Sequence, residues 1–352
     1  MLKNRKQKKL FLLISAITIA ATLGMTGCGK NTAATSGGSA NALKADADGL
    51  IPIKTWTRVD CSSTPWIVAD KKGFFKEEGL KIVYTGETQA TQQIPSILNG
   101  NNDFGGWHPN TFAVAKASGA PLVGISPAGI EPGPEIDPKF RHMWWFVNPK
   151  SGIKSVEDLK NYKKGQKLKF STITNNICAD FLANKILDKY GIPRDRVEWV
   201  SMPDVQAVQA LSQGLVDVAG VHPPYYKAMQ DSGAVKIVDT SEANLGASAG
   251  LSFYVVSEDF AKKNPDVVKR FTRAMAKAGT WANANYIEAA KLTEEAIHQP
   301  VTGYHYYATS TKIDESLVKP WIEDLEKNNV IPKDKITASN LVTHDFEDKN
   351  EK

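Results

Sequence analysis

A ten-residue stretch that occurs twice is the feature that most constrains how this chain can fold. Residues 100–109 and residues 214–223 both read Gly-x-x-Asp-x-x-Gly-x-His-Pro. In each copy the leading Gly predicts the end of a helix, the Asp opens a short apolar strand, and His-Pro falls in the loop that follows. Internal repetition predicts repeated architecture, and two copies indicate two similar lobes rather than a solenoid.

Strand-like and helix-like segments alternate around both copies. Residues 53–59 alternate between apolar and polar side chains, as a half-buried strand does. Residues 177–190 form a strongly amphipathic helical pattern that ends at Gly191. The short connections between such segments predict an α/β layer fold, with a sheet flanked by helices in each lobe.

The N-terminus carries the pattern of an export signal. Basic residues precede an apolar run over residues 10–21, and a motif ending at Cys28 follows. The run is short for a membrane span of ~20 residues, so we predict a cleaved signal peptide over residues 1–27. The cleavage site resembles a lipobox, with Met25 in place of the usual Leu. We therefore predict that Cys28 carries acyl chains such as palmitate, which anchor the protein to the membrane, and that residues 28–49 form a flexible tether.

The formal charge of the chain, +5, comes from that signal peptide. Without its five basic residues, the 43 Lys and Arg fall to 38, which equals the number of Asp and Glu. The remaining protein therefore has no overall basic field, and we predict no nucleic-acid partner.

Two cysteines, Cys61 and Cys178, remain after the lipidation site. An export compartment permits a disulfide, but two cysteines do not make a disulfide framework. They fall in different predicted lobes, where a bridge would pin two bodies that move. We predict that both are free thiols.

Polar and aromatic residues follow several predicted strands at the points where the strands end. In an open α/β sheet, ligands lie beyond the carboxyl ends of the strands, where helix N-termini present free N–H groups. Helix capping alone would also account for single Ser, Thr and Asn residues there. Because six such loops converge, we predict that they line one ligand cleft. The predicted ligand-binding residues are Ser62, Ser63, Thr64, Trp66, Thr88, Gln89, Trp107, His108, Thr172, Thr174, Asn175, Asn176, Asp204, His222 and Tyr225.

His108 and His222 stand at matched positions of the duplicated stretch, which favours a role in ligand contact. With Cys61 and Cys178 they could form a Cys/His set of the kind that zinc or copper accepts. No CxxC or HxxxH spacing supports such a set, so we predict no metal and no cofactor. The remaining histidines show no pattern and receive no role in the site; they are His142, His298, His305 and His344.

Support for catalysis is weak in this sequence. It contains no glycine-rich phosphate loop and no His-Glu-x-x-His helix. Cys61 could be considered a nucleophile with His108 as its base, but nothing in their spacing supports the pair. We predict a binding protein rather than an enzyme.

Several motifs, taken in order, resemble one family. They are Ala-Asp-Lys-Lys-Gly-Phe-Phe-Lys-Glu-Glu-Gly-Leu at 69–80, Gly-x-x-Asp-Phe-Gly at 100–105, Gly-Ile-Lys-Ser-Val-Glu-Asp-Leu at 152–159, and Gly-x-Val-Asp-Val-Ala at 214–219 with its Pro-Pro-Tyr loop. Over about residues 51–290 the chain resembles the nitrate/sulfonate/taurine-type solute-binding proteins of ABC importers, which are related to thiamine-precursor proteins.

The resemblance implies a two-lobed periplasmic-binding-protein fold of type II, with the ligand cleft between lobes that close about a hinge. Lobe one would comprise residues 50–150 plus 247–340 and lobe two residues 151–246, followed by a polar tail over 341–352. The resemblance further implies a monomer, lipid-anchored on the extracytoplasmic face of the cell membrane. Its partners would be a small-molecule solute and the ABC permease and ATPase subunits.

Members of this family bind nitrate, alkanesulfonates, taurine or pyrimidine-type thiamine precursors. Arg58 falls in a predicted strand and Arg141 precedes one, so the candidate loops show no bidentate clamp for an anion. We expect a small organic anion, such as an aliphatic or aromatic sulfonate or a nitrate- or taurine-like solute. The alternative is a heterocyclic thiamine-precursor-type ligand, or a metal or metal chelate held by His and Cys.

Overall fold

The structure is a computed structural model. It describes residues 42–60, 62–298, 300–301 and 303–351. The predicted signal peptide, the lipidation site Cys28, the first part of the tether and Cys61 lie outside those residues. Among the helices that are described, none has the length and apolar character needed to cross a membrane.

Ten strands form three sheets in the described part of the chain. The strands are β1 (Ile51–Thr55), β2 (Leu80–Tyr84), β3 (Gly105–Trp107), β4 (Leu122–Pro127), β5 (Trp144–Val147), β6 (Leu168–Thr172), β7 (Val197–Ser201), β8 (Val218–Val221), β9 (Val235–Asp239) and β10 (Phe253–Ser257).

The three sheets divide between two regions of the molecule. The first region holds the parallel pair β1-β2 and the antiparallel sheet β3-β10-β4. The second region holds one five-stranded sheet in the order β7-β6-β8-β5-β9, in which β6 runs parallel to β7 and β8 while β5 runs antiparallel to β8 and β9.

Helices flank these sheets, as the alternating sequence pattern predicts. Their bounds are α1 (Ser63–Lys71), α2 (Phe74–Glu77), α3 (Ala90–Leu98), α4 (Pro109–Ala117), α5 (Cys178–Lys189), α6 (Asp204–Ser212), α7 (Tyr226–Asp231), α8 (Glu258–Lys263), α9 (Pro265–Ala284), α10 (Tyr286–Ile297), α11 (Lys319–Lys327) and α12 (Ala338–Leu341).

Helix α9 shows how the sequence builds the core of the first region. Pro265 stands in its first turn, where a missing N–H costs no hydrogen bond, and Asp266 beside it suits the positive end of the helix. Val268, Phe271 and Met275 recur on one buried face. That face packs against α1, so the first region has an apolar core of its own.

Helix α11 contacts both regions. Trp321 is fully buried in the apolar cluster of the five-stranded sheet and stacks on Phe181, with 4.0 Å between ring centroids. Its neighbours Ile322 and Leu325 are buried in the cluster around β10 and α4. Trp321 therefore lies where the two regions meet, close to the loops discussed below.

Two segments predicted to be loose are packed on the fold. Leu43, in the predicted tether, donates its N–H to Asn264 Oδ1 at 2.7 Å and packs on the first core. In the predicted polar tail over 341–352, Leu341 and Phe346 are buried. Single apolar residues therefore tie the described end of the predicted tether and the polar tail to the fold, while the flexible tether itself stays a prediction.

The predicted boundary between the lobes differs from the sheet assignment. The predicted division at residue 150 puts strand β5 in lobe one, yet β5 pairs with β8 and β9 of the second region. The two-lobe division stays a prediction, and sheet membership favours a first boundary before Trp144. The aromatic run at 143–146 does not reveal which sheet it joins, since that depends on pairing with strands more than 70 residues away in sequence.

Candidate functional site

The Asp residues of the duplicated stretch play the same part in both copies. Asp103 Oδ2 accepts the backbone N–H of Lys54 at 2.8 Å, and Asp217 Oδ2 accepts that of Lys169 at 2.9 Å. Each Asp thus ties the residues just before its own strand to a second strand, which is β1 for Asp103 and β6 for Asp217. The two residues act as scaffold, and each positions the His-Pro loop at the far end of a short strand.

His108 and His222 occupy equivalent backbone positions at the ends of those strands. Both are extended, and each is followed by a Pro that opens a helical turn. Both side chains line one cavity of about 200 Å³, hereafter the central cavity. Residues of both regions line this cavity, including Thr111 and Phe253 from the first and Thr174 and Cys178 from the second.

The structure brings together part of the predicted site. Six residues of the predicted set line the central cavity: Ser62, Trp66, Trp107, His108, Thr174 and His222.

The other predicted residues do not line the central cavity, and most are occupied locally. Thr64 Oγ1 pairs with Thr293 Oγ1 at 2.9 Å, and Thr172 Oγ1 donates to the carbonyl of Thr174 at 2.8 Å. The first of these bonds joins helix α1 to helix α10, and the second is a turn interaction of the kind that small polar residues make at strand ends. The full set outside the cavity is Ser63, Thr64, Thr88, Gln89, Thr172, Asn175, Asn176, Asp204 and Tyr225.

His222 is held by a carboxylate that lies behind it. Asp204 Oδ2 accepts both the backbone N–H of His222, at 3.0 Å, and its Nδ1–H, at 2.7 Å. His222 Nε2 faces Cys178 Sγ at 3.2 Å, and all three residues are buried. Burial lowers the pKa of His222, but the Asp204 carboxylate and Cys178 outweigh it and raise that pKa well above its ordinary value.

Cys178 is a free, buried cysteine and the first residue of α5. Burial raises the pKa of its thiol, but His108 and His222 outweigh that effect and lower the pKa to about 6. These two directions favour a thiolate at Cys178 beside a protonated His222. The prediction of a free thiol is confirmed for Cys178.

Two histidines without a predicted role also line the central cavity. His142 precedes β5, and its Nδ1 lies 3.3 Å from Nδ1 of His305. Burial lowers the pKa of His142 well below its usual range and that of His305 to about 3, so both rings are neutral. Nε2 of His142 is buried and has no hydrogen-bond partner among the described residues.

His108 is oriented by the backbone of the first region. Its Nδ1 lies 2.6 Å from the carbonyl oxygen of Leu251, which can only accept, so Nδ1 carries the proton. Its ring stacks on Trp321 at a centroid separation of 5.4 Å and lies 4.7 Å from the ring of His142. The neutral tautomer therefore keeps its lone pair on Nε2.

Arg58, which the sequence places in a predicted strand, also lines the central cavity. Strand β1 ends at Thr55 rather than at residue 59, so Arg58 follows the strand. Its Nη1 donates to Thr55 Oγ1 at 2.9 Å, and its guanidinium lies between the rings of Trp56 and Trp66, 4.3 and 4.2 Å from their centroids.

Arg58 also lines a second cavity, of about 320 Å³, together with Trp66 and Tyr84. Nη2 is buried and has no hydrogen-bond partner among the described residues. Burial lowers the pKa of Arg58 to about 10, which leaves the side chain charged at neutral pH. The sequence does not reveal this position of Arg58, because the alternation of polar and apolar residues continues to residue 59, four residues past the end of β1 at Thr55.

One catalytic sequence match has a structural role. Residues 246–250 read Gly-x-Ser-x-Gly, but Ser248 Oγ donates to the carbonyl of Leu317 at 2.7 Å and accepts from Trp321 Nε1 at 3.0 Å. The hydroxyl thus anchors α11 and is buried. Its hydrogen bonds are those of a packing residue rather than of a nucleophile beside a base.

Comparisons with known proteins agree with this architecture. The family model described as NMT1/THI5 like matches residues 60–289. The Bacillus subtilis (strain 168) protein named "Putative aliphatic sulfonates-binding protein" is 25% identical over 347 residues, which cover 97% of this chain and 90% of that protein.

Two solved structures of similar fold are periplasmic binding proteins. The aliphatic sulphonate binding protein SsuA from Escherichia coli has a TM-score of 0.66 at 19% identity, covering 86% of this chain and 95% of its own. The nitrate-binding protein NrtA from Synechocystis PCC 6803 has a TM-score of 0.67 at 13% identity, covering 84% and 87%. The expected fold class, sheets flanked by helices in a periplasmic-binding-protein arrangement, is confirmed.

Proposed function

Because this chain belongs to the NMT1/THI5-like family, we propose that it is the extracytoplasmic solute-binding component of an ABC importer. Acyl chains on Cys28 hold it at the membrane, and it passes a small solute to a permease with its ATPase. Similar proteins named as aliphatic-sulfonate-binding or nitrate-binding proteins support this assignment. The solute lies in the central cavity, and closure of two lobes about a hinge encloses it.

The solute of this proposal is a small organic anion, such as an aliphatic or aromatic sulfonate. The observation that carries the proposal is Arg58, which lines the central cavity and whose Nη2 is buried with no hydrogen-bond partner among the described residues. A buried charged donor left unpaired is costly, and an anionic oxygen would relieve that cost. Trp56 and Trp66 hold the guanidinium plane in place, so little side-chain entropy is lost on binding.

The surroundings of Arg58 suit an anion with an apolar body. Trp66, Trp107 and Tyr254 line the same cavity and offer aromatic surface to the carbon part of a sulfonate. Asp60 also lines it, but its Oδ1 already accepts the N–H and the hydroxyl of Ser62, at 2.8 and 2.6 Å. Asp60 therefore has a local partner, whereas Nη2 of Arg58 has none among the described residues.

The test compares Arg58→Met with the wild-type mature chain, residues 28–352, in a thermal-shift and calorimetric screen. The panel contains alkanesulfonates, taurine, aromatic sulfonates, nitrate and carboxylates. A ligand that binds only the folded state raises the unfolding midpoint, so we expect at least one anion to raise it for the wild type but not for Arg58→Met. Arg270→Met, which removes a partly exposed Arg of α9 that does not line the central cavity, is the matched control and should keep the shift.

Arg58→Lys separates charge from geometry, because it keeps the charge but loses the planar fork. Its affinity should lie between those of the wild type and Arg58→Met. The proposal is wrong if no anion of the panel shifts the folded wild type, or if Arg58→Met binds the anion as tightly as the wild type does.

A further inference from the structure

The histidines of the central cavity converge on one cysteine. The members of this histidine cluster are His108, His142, Cys178, His222 and His305. The ligand atoms of His108, His142 and Cys178 all lie within 4.8 Å of one another. Two ring nitrogens and one thiolate at that spacing can reach a single ion, since metal–nitrogen and metal–sulfur bonds measure roughly 2.0–2.3 Å.

His108 is oriented so that one ring nitrogen can bind a metal ion. The carbonyl of Leu251 holds the proton of His108 on Nδ1 and leaves the lone pair on Nε2. Metal-bound histidines commonly donate their second N–H to a backbone carbonyl in this way, which fixes the ring and the tautomer.

His142 supplies the observation that points most directly to an ion. Its side chain is 1% exposed, and its Nε2 has no hydrogen-bond partner among the described residues. When the proton shared with His305 lies on Nδ1 of His142, Nε2 is a bare lone pair in a buried site. Coordination would satisfy that atom, which otherwise keeps the cost of its lost hydration.

Cys178 is backed by a histidine that a carboxylate holds in place. His222 Nε2 lies 3.2 Å from its sulfur, and Asp204 holds the other ring nitrogen of His222 at 2.7 Å. An N–H donor to sulfur stabilises a metal-bound thiolate, and the carboxylate behind it fixes that donor. Both ring nitrogens of His222 are therefore engaged, one by the sulfur of Cys178 and the other by Asp204.

We propose that His108 Nε2, His142 Nε2 and Cys178 Sγ form a transition-metal site for an ion of the zinc or copper(I) class, with one coordination position open to the central cavity. Two imidazoles and one thiolate match the preference of these borderline and soft ions. Three protein ligands leave room for a fourth that comes from the cavity. The metal site stands by itself, whereas the role of its open position, which is to hold the anionic group of the solute, rests on the proposed solute-binding function.

This assignment differs from the Cys/His set that the sequence suggests. That set used Cys61 and His222, but the structure places His142 in the trio and His222 behind the sulfur. A Cys-His-Asp nucleophile formed by Cys178, His222 and Asp204 is the competing interpretation of the same residues. It leaves His108 and the unpartnered Nε2 of His142 without a function, whereas the metal site uses both.

The test loads the metal-free mature chain with Zn²⁺, Cu⁺ and Co²⁺ and measures stoichiometry and affinity. We expect one ion per chain, and we expect the Co²⁺ form to show a thiolate-to-cobalt charge-transfer absorption. Cys178→Ser should abolish that absorption. His142→Gln and His108→Gln should weaken affinity by more than the roughly 10–100-fold that loss of an outer-shell partner causes. His344→Gln, which removes an exposed histidine, is the matched control and should change neither quantity.

Circular dichroism shows whether each variant is folded, so a loss of binding in a folded variant is interpretable. Failure of the folded wild type to bind any of the three ions stoichiometrically overturns the site, as does unchanged binding in both Cys178→Ser and His142→Gln. The two proposals fail separately. Metal binding that survives Arg58→Met, in a protein that no anion stabilises, would reject only the solute function; anion binding to a chain that takes up no ion would reject only the metal site.

Discussion

The two His-Pro loops share a sequence but differ in what holds their histidines. His108 Nδ1 donates to a backbone carbonyl, whereas His222 Nδ1 donates to the buried carboxylate of Asp204. A carbonyl fixes the tautomer without adding charge, while a carboxylate also favours the protonated ring. The duplicated stretch therefore determines where each histidine lies, and a partner from elsewhere in the chain determines its chemistry.

Because of this difference, the two histidines have different roles in the histidine cluster. His108 presents a lone pair to the central cavity, and His222 presents an N–H to the sulfur of Cys178. One copy of the stretch thus offers a ligand and the other supports one. Substitutions that exchange or remove these partners test whether the asymmetry is real.

The largest effect is expected from removal of the carboxylate. Asp204→Ala leaves two N–H groups of a buried, charged His222 without an acceptor, so the free energy of unfolding should fall by roughly 3–5 kcal/mol. His108→Phe keeps a ring to stack on Trp321 but loses one neutral hydrogen bond, so it should cost about 1 kcal/mol. Urea unfolding of the metal-free proteins measures both. Equal losses in the two variants would contradict the asymmetry.

A smaller effect is expected on metal affinity. Asp204→Asn keeps the shape of the side chain but removes the charge behind His222, and zinc affinity should fall ~10–100-fold, as for other outer-shell partners. Competition against a chromophoric chelator measures it. Leu251→Met is the matched variant for the partner of His108, since it changes the Leu251 side chain but retains the carbonyl that holds His108. An unchanged zinc affinity in Asp204→Asn would show that His222 does not support the sulfur.

The smallest effects should come from the Asp residues that both copies share. Burial raises the pKa of Asp103, although the bond from Lys54 opposes it. A carboxyl group whose pKa is higher in the folded state than in the unfolded chain destabilises the fold once it ionises, at pH values above about 4. Asp103→Asn retains an acceptor for Lys54 and should therefore be neutral or stabilising at pH 7, by about 1 kcal/mol at most. That difference should shrink as the pH falls towards 4.

Asp217→Asn is the paired test in the second copy. It loses the ion pair to Lys163 at 2.6 Å, whose Lys side chain is 41% exposed, so it should cost up to about 1 kcal/mol. Unfolding curves between pH 4 and 7 measure both variants. A pH-independent difference between Asp103→Asn and the wild type would reject the explanation from burial.

The sequence predicts the helices and strands around both copies of the duplicated stretch because the signals for them are local. Glycine ends, the period of the apolar residues and the repeated Asp each act within a few residues of where they stand. His108, His222, Trp66 and Trp107 all follow predicted strands, and the rule that ligands lie beyond strand ends predicts their place at one cavity. These interactions depend on backbone geometry that recurs in both copies.

The residues that sequence reasoning missed depend on contacts distant in the chain. His142 and His305 meet across more than 160 residues, and neither lies in a repeat or in a spaced motif. Arg58 was assigned to a strand because polar and apolar residues continue to alternate after β1 ends. Its place in the central cavity depends on Trp56 and Trp66, which hold the guanidinium between them.

The most direct measurement is an anomalous difference map from crystals of the mature protein grown with Zn²⁺ and collected on both sides of the zinc absorption edge. The account predicts one strong peak in the central cavity, with Nε2 of His108 and of His142 about 2.0–2.1 Å away and Sγ of Cys178 about 2.3 Å away. His222 should remain hydrogen-bonded to that sulfur and to Asp204. A cavity without a peak, or zinc bound only at surface histidines such as His344, would contradict the account.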